Sequence, residues 1–246
     1  MKSRAFGLTD VGRRRETNED DLLLEPDLGL YAVADGMGGH AAGEIASRLA
    51  IETLLQARRR EGSAGPKPTA DESAMWLREA FSEANRRICD SIRLHEERRG
   101  MGTTVVALVH NGEGAVVGHV GDSRVYLLRG DDLIRMTSDH SWVNEQVKLG
   151  LMSDDAAQRH PMRNIVTRAL GSREDVLVDV ASTRLEPGDV FVLCSDGLNT
   201  MLTDDEIRGL VLRHRDEPES ACRALIHAAN VSGGEDNVTV VIVRFA

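Results

Sequence analysis

The sequence predicts an α+β fold in which two antiparallel β-sheets pack face to face with α-helices outside them, a four-layer helix–sheet–sheet–helix order. Three observations predict it. Short apolar segments open the chain, crowd its middle and close it. The middle ones are separated by the turn sequences NGEG (111–114) and RGDD (129–132), which mark hairpins. The helical stretches come in two blocks instead of alternating with strands, and grouped helices and strands argue for layers and against a strand–helix–strand repeat.

The elements follow in order. Residues 3–11 and 21–25 read as short strands around the charged turn GRRRETNEDD, and LYAVA (30–34) as a third. From Ala42 the apolar period changes: Ile45, Ala46, Leu49, Thr53, Leu54 and Ala57 recur every three or four residues, a helix running to about Arg60. EGSAGPKPTADES (61–73) is a loop by its prolines and glycines. Ala74, Leu77, Phe81, Ala84, Ile88 and Ile92 mark one stripe of a longer helix ending near Gly100. Strands at 103–110, 114–121, 124–129 and 132–136 then predict an antiparallel meander. Residues 141–170 read as helical and irregular, with HPMRN breaking any continuous helix. Strands at 175–183, 189–195 and 238–245 enclose two helices, 203–213 and 218–231. No repeat, low-complexity tract or linker divides the chain, so residues 1–246 are expected to form one domain.

Bulk properties narrow the function. The 246 residues are 41% hydrophobic but only 3% aromatic, so the core must rest on Val, Leu, Ile and Ala. A formal net charge of −10 disfavours nucleic acid and anionic membrane surfaces as partners. Cys89, Cys194 and Cys222 are far apart and odd in number, as expected of reduced thiols. The N-terminal MKSRAFGLTD has no apolar leader and no stretch is long enough to span a bilayer; these features predict a soluble, cytoplasmic protein.

The chemistry sits where strands end. LYAVA runs into Asp35, followed by GMGG; VGHVG ends at Asp122; VFVLCS runs into Asp196, followed by Gly197; Asp236 precedes the last strand, and Asp20 and Asp21 the second. Any single Asp-Gly is an ordinary turn. Several carboxylates converging on one sheet edge repel unless a cation sits among them, and oxygen ligands beside glycine suit Mg²⁺ or Mn²⁺. No Cys/His cluster has zinc spacing, and the eight histidines are scattered. The run Arg13-Arg14-Arg15 offers a bidentate partner for a phosphate held by such ions.

These residues carry a resemblance. ETNED (16–20) after Arg15, ADGMGGHAAGE (34–44), GTT (102–104), VGDSR (120–124), SDGL (195–198) and DN (236–237) occur in the order found in the type 2C metal-dependent protein phosphatases. The chain resembles a bacterial Ser/Thr member over nearly its whole length, from about Gly7 to Phe245. The resemblance implies a central β-sandwich flanked by helix pairs, and two Mn²⁺ or Mg²⁺ ions that activate a water. It implies that Asp35 bridges both ions, that the Gly36 carbonyl binds one, and that Asp196 and Asp236 bind the other. Asp20 and Glu19 act through metal-bound waters, Arg15 holds the substrate phosphate, and Asp122 matches the ligand of a third, weaker ion. Asn164 falls near that third site, in a flap-like segment, 137–170. Animal relatives carry a histidine after the Asp-Gly pair; here that position is Met37, and His40 is the candidate substitute general acid.

The implied activity is hydrolysis of phosphoserine and phosphothreonine on proteins, with a Ser/Thr kinase and its substrates as partners and a monomer as the family default. A non-catalytic relative that binds phosphoproteins would be expected to lack Asp35, Asp196 or Asp236, and all are present. An aspartyl-phosphate hydrolase would need a parallel-sheet setting, against the hairpins at 103–136. The charges of 137–170 are mixed and name no substrate.

Overall fold

The computed structural model describes residues 1–38, 42–61, 68–112 and 114–246. One sheet has the order β1 (Ser3–Asp10), β11 (Val238–Phe245), β10 (Val190–Cys194), β7 (Arg124–Arg129), β8 (Asp132–Arg135). The other runs β2 (Asp20–Glu25), β3 (Leu30–Met37), β5 (Val105–His110), β6 (Gly114–Val120), β9 (Asp179–Arg184), with the short β4 (Gly102–Thr103) paired to the end of β3. All pairings are antiparallel.

Three apolar layers hold the four structural layers together. Tyr31, Val33, Val106, Leu108, Leu127, Phe191, Val241 and Phe245 fill the space between the sheets. Ala32, Ala34, Ala107 and Val116 on the outer face of the second sheet meet Ala46, Ala50 and Leu54 of α1 (Ala42–Glu61) and Leu77, Phe81 and Ile88 of α2 (Ala70–Leu94). On the far side, Tyr126, Val192, Val240 and Ile242 meet α6 (Asp204–Arg213) and α7 (Pro218–Val231) through Ile207, Val211, Cys222 and Leu225. The central strands are thus buried on both faces and read as continuous apolar runs. Side-chain size alternates instead of polarity. In β3, small Ala32 and Ala34 accept α1 while Tyr31 and Val33 fill the sandwich, and this alternation opposes a one-residue slip.

Helix starts are set locally. Thr69 and Glu72 form a reciprocal capping box at α2, and Thr203 and Glu206 do the same at α6.

The structure corrects several sequence expectations. The 103–136 meander is two hairpins in different sheets: β5 pairs β6 and β7 pairs β8, but β6 and β7 do not pair. The Gly121–Ser123 turn carries the chain from one sheet to the other. Gly121 takes a φ of +107°, and a Cβ there would lie 2.5 Å from the Thr104 side chain. Strand β9 begins at Asp179 and not at 175, because the Asn85 side-chain amide on α2 donates to the carbonyls of Arg173 (2.9 Å) and Glu174 (2.8 Å) and ties that segment to the helix. Strand β3 continues through Gly36 to Met37, so Asp35 lies inside a strand and not just past its end. The segment 137–170 holds two short helices, α3 (Trp142–Lys148) and α4 (Asp154–Gln158), tied back by Trp142 N–H to Ile165 O (2.8 Å) and Thr167 N–H to His140 O (2.8 Å).

Candidate metal centre

The register of β2 against β3 places Asp20 directly opposite Asp35. Two carboxylates facing each other across a strand pair are destabilising unless something positive lies between them. The end of β10, the start of β11 and the turn between β6 and β7 bring Asp196, Asp236 and Asp122 into the same field: each raises the proton affinity of Asp35.

Each carboxylate is held by its own support. Asp20 is buried. Its Oδ2 accepts from Thr239 Oγ1 (2.6 Å) and Ser195 Oγ (2.8 Å), while its Oδ1 is buried without a partner. Ser195 also accepts from the Thr239 backbone N–H (3.0 Å), so the two hydroxyls and one oxygen lock the Asp20 rotamer. The carbonyl of Asp35 accepts from the Thr104 N–H (2.9 Å) and Thr103 Oγ1 (2.9 Å), which is the local work of the GTT segment. Gly36 sits where any Cβ would overlap the Gly43 carbonyl and come within 2.5 Å of the Glu19 carbonyl. Asp196 opens α5 (Asp196–Asn199), a turn of helix that follows β10 directly. Asp236 Oδ1 accepts from the Asn237 N–H (2.8 Å) and its Oδ2 from Arg15 Nη2 (2.7 Å).

Asn237 organises the ETNED loop: its amide donates to the carbonyls of Val11 (3.0 Å) and Thr17 (2.9 Å), and its oxygen accepts from the Glu19 N–H (2.9 Å). Its function was not legible in sequence, and neither were those of Ser195 and Thr239; only the adjacency of DN and SD to the aspartates hinted at them. Glu19 stands aside from the aspartates. Its carboxyl leans on the N-terminal turn of α1, where a Cβ on Gly43 would lie 2.7 Å from its carboxyl carbon. Gly43 offers it a backbone hydrogen bond, and burial raises its proton affinity. His40 lies outside the described residues.

The electrostatics are those of crowded anions. Burial first, then the neighbouring aspartates, raise Asp20 to about 7, while the hydroxyls of Thr239 and Ser195 act the other way. Burial, then Asp196 and Asp139, push Asp122 up to about 8. Burial and Asp236 push Asp196 up to about 6, moderated by a hydrogen bond with the Asp35 carboxyl. Asp35 is held well above the usual carboxylate range by burial and then by Asp20. A divalent cation among them would reverse every one of these shifts. The donors are all hard oxygens, and the orphaned Oδ1 of Asp20 is a buried acceptor in want of a positive partner, so the residues fit Mn²⁺ or Mg²⁺.

Asp122 is buried at the sheet crossover. His140 clips that turn from both sides: Gly121 N–H donates to the ring Nδ1 of His140 (3.0 Å) and the Gly121 carbonyl accepts from the His140 backbone N–H (2.9 Å). Although the histidines are scattered in sequence, the fold stacks His140 on His119, with centroids 4.7 Å apart and planes at 9°, beside Asp179. Two nearly parallel ring planes do not both pass through one ion, and His140 Nδ1 is already an acceptor, so as placed this group ties the turn and is not arranged for a metal. Asn164, Asp122 and Asp196 line one cleft.

Comparison with known proteins agrees with this chemistry. The family described as Protein phosphatase 2C matches residues 12–228. A serine/threonine phosphatase stp of Listeria welshimeri is 39% identical over 239 residues, covering 96% of this chain and 93% of its own. The crystal structure of the Mycobacterium tuberculosis serine/threonine phosphatase PstP/Ppp superposes with a TM-score of 0.90 at 33% identity, covering 100% of this chain and 99% of that one. The catalytic domain of PstP in complex with two manganese ions superposes with a TM-score of 0.86 at 33% identity, covering 98% and 97%. The chain therefore belongs to the protein phosphatase 2C family and is a metal-dependent protein serine/threonine phosphatase.

Proposed function

We propose that residues 1–246 form one catalytic domain in which Asp20, Asp35, the Gly36 carbonyl, Asp196 and Asp236 hold two divalent ions and Asp122 serves a third. The single observation that carries this reading is the registration of Asp20 against Asp35 with one buried Asp20 oxygen unpartnered. When bound, such ions supply a water of lowered pKa and neutralise charge on a phosphoryl group.

The chain's own residues do the rest. Asp20, braced by Ser195 and Thr239, presents one fixed oxygen to the centre. Arg15 rests on Asp236 through an ion pair whose side chains are 52% and 32% exposed, a pairing worth little in water. Its guanidinium is therefore free to turn to a substrate phosphate and form two parallel hydrogen bonds there. Glu19 fixes the start of α1 behind Gly36 and reaches the centre through water. Cys194 lies beside Ser195 but is fully buried, and burial pushes its thiol up to about 12, so it is a core residue and not a nucleophile. His40 remains the proposed general acid.

The partners we propose are a Ser/Thr kinase and that kinase's substrates, met in trans in the cytoplasm by a monomeric phosphatase. Among the described residues no helix is long and apolar enough to cross a membrane.

The test is phosphate release from a phosphothreonine peptide in EDTA and in Mn²⁺, for wild type and Asp196→Asn, with Mn²⁺ binding measured by calorimetry. Mn²⁺-dependent turnover and Mn²⁺ binding that the substitution abolishes support the assignment. Peptide binding without turnover under any divalent ion turns the reading to a phosphoprotein-binding module.

A further inference from the structure

The mixed charges of segment 137–170 are sorted by the fold. Beside Asp122 and Asp196 opens a cleft of about 470 Å³, walled by α3, α4 and the residues after them on one side and by the α5–α6 connection on the other. Its acidic side chains are committed. Asp139 accepts hydrogen bonds from Arg124 at both oxygens (2.6–3.2 Å). Asp204 accepts from Tyr126 Oη (2.9 Å) and lies 3.7 Å from the same guanidinium. Asp122 and Asp196 face the proposed ions.

Of the four arginines, Arg124 is spent on these aspartates and the other three are not. Among the described residues no carboxylate lies within 4 Å of Arg135 or Arg159, and Arg163 reaches only Glu235, at 4.0 Å. In a chain of net charge −10, four arginines on this lining balance its four aspartates, and three of those guanidinium groups have no close carboxylate partner. The cleft begins at the carboxylates that would hold the ions, so a peptide whose phosphorylated side chain reaches the centre lays its neighbouring residues along this wall.

We infer that this cleft is a substrate-reading surface that selects phosphorylated segments carrying acidic residues beside the phosphoserine or phosphothreonine, through Arg135, Arg159 and Arg163. The inference rests on the proposed phosphate position at the metal centre. Guanidinium groups suit this task, because they hold carboxylates bidentately and keep their charge at any working pH.

Three phosphothreonine peptides that differ only in their flanking residues, acidic, neutral amide or basic, test it. Exposed pairs are individually weak, so the acidic peptide is expected to exceed the neutral one by about three- to ten-fold in kcat/KM at low salt, with the basic peptide poorest. The ratio should collapse toward one in Arg159→Gln/Arg163→Gln and in about 0.5 M salt, where surface charges are screened within a few ångströms. Fluorescence anisotropy with the same peptides measures the preference without turnover. Hydrolysis of p-nitrophenyl phosphate, which has no flanking residues, reports the metal centre separately. If p-nitrophenyl phosphate is not hydrolysed, the catalytic reading fails while the binding ratio still decides the cleft. Equal binding and equal kcat/KM for the three peptides, or an acidic preference that survives in the double variant and in Arg135→Gln, overturns the inference.

Discussion

Stripping the metal should make stability fall as pH rises, the reverse of ordinary acid denaturation. The reason is Asp20. In the fold it takes a proton up to about pH 7, against an ordinary value of 3.8. At pH 8 the metal-free fold must hold it ionised, at a cost of about 1.4 kcal/mol for each unit of difference, or about 4 kcal/mol in all. The sign follows from proton counting. Between about pH 4 and 7 the folded state binds more protons than the unfolded chain, so the stabilising protons are lost as pH rises through the folded values. Asp122 at about 8 and Asp196 at about 6 act in the same direction, but the groups interact and their costs do not add. For a chain of this size about 4 kcal/mol corresponds to a Tm change on the order of 10 °C.

The assay is thermal unfolding in EDTA and in saturating Mn²⁺ at about pH 5.5 and pH 8, on either side of the folded values of Asp20 and Asp196; this interval spans about half of the Asp20 cost, roughly 2 kcal/mol and about 5 °C. The expected result is a lower Tm at the higher pH in EDTA, and a larger Mn²⁺-induced rise there, because at the lower pH the ions must first displace protons. Asp20→Asn keeps an acceptor for Ser195 and Thr239 but removes the charge, so in EDTA it should raise the Tm at pH 8 while weakening Mn²⁺ binding. A Tm in EDTA that is flat or rising over this interval, with no gain from Asp20→Asn, refutes the reasoning.

Other consequences are simpler to measure. Gly36→Ala forces a methyl group into the Gly43 carbonyl and should lower Tm by several degrees and abolish Mn²⁺ binding in calorimetry, since the β3–α1 contact has no room to yield. Arg15→Lys should keep the fold and the Asp236 charge pair yet lower kcat/KM for p-nitrophenyl phosphate about ten-fold, because an ammonium lacks the planar fork; a value equal to wild type would remove Arg15 from the phosphate site. Cys194 and Cys222 are buried and their thiols both pushed up to about 12, so iodoacetamide under native conditions should leave Mn²⁺-dependent turnover intact; rapid inactivation with labelling at Cys194 would contradict the core assignment. Leu77→Ala, which opens a void between α2 and the second sheet, should cost about 2–5 kcal/mol in a denaturant titration while leaving Mn²⁺ affinity unchanged.

The sequence by itself determined the layers and the chemistry. Apolar runs broken by NGEG and RGDD dictate hairpins, the three-to-four period of α1 and α2 dictates amphipathic helices, and aspartates at the ends of apolar strands mark the candidate cation site. These signals are local: a turn, a period or a carboxylate beside glycine acts within a few residues of itself. Tertiary structure decided what depends on distance between remote segments. It put Gly121–Ser123 at a crossing between sheets instead of in a meander, because β7 pairs with β10, some sixty residues later, and not with β6. It set Asp20 against Asp35 by strand register and braced it with Ser195 and Thr239, stacked His119 on His140, and committed Asp139 to Arg124 while leaving Arg135, Arg159 and Arg163 uncommitted. Hydrogen-bond and ion-pair partners are chosen by proximity in the folded chain, and a charge is free or spent only once its neighbours are in place.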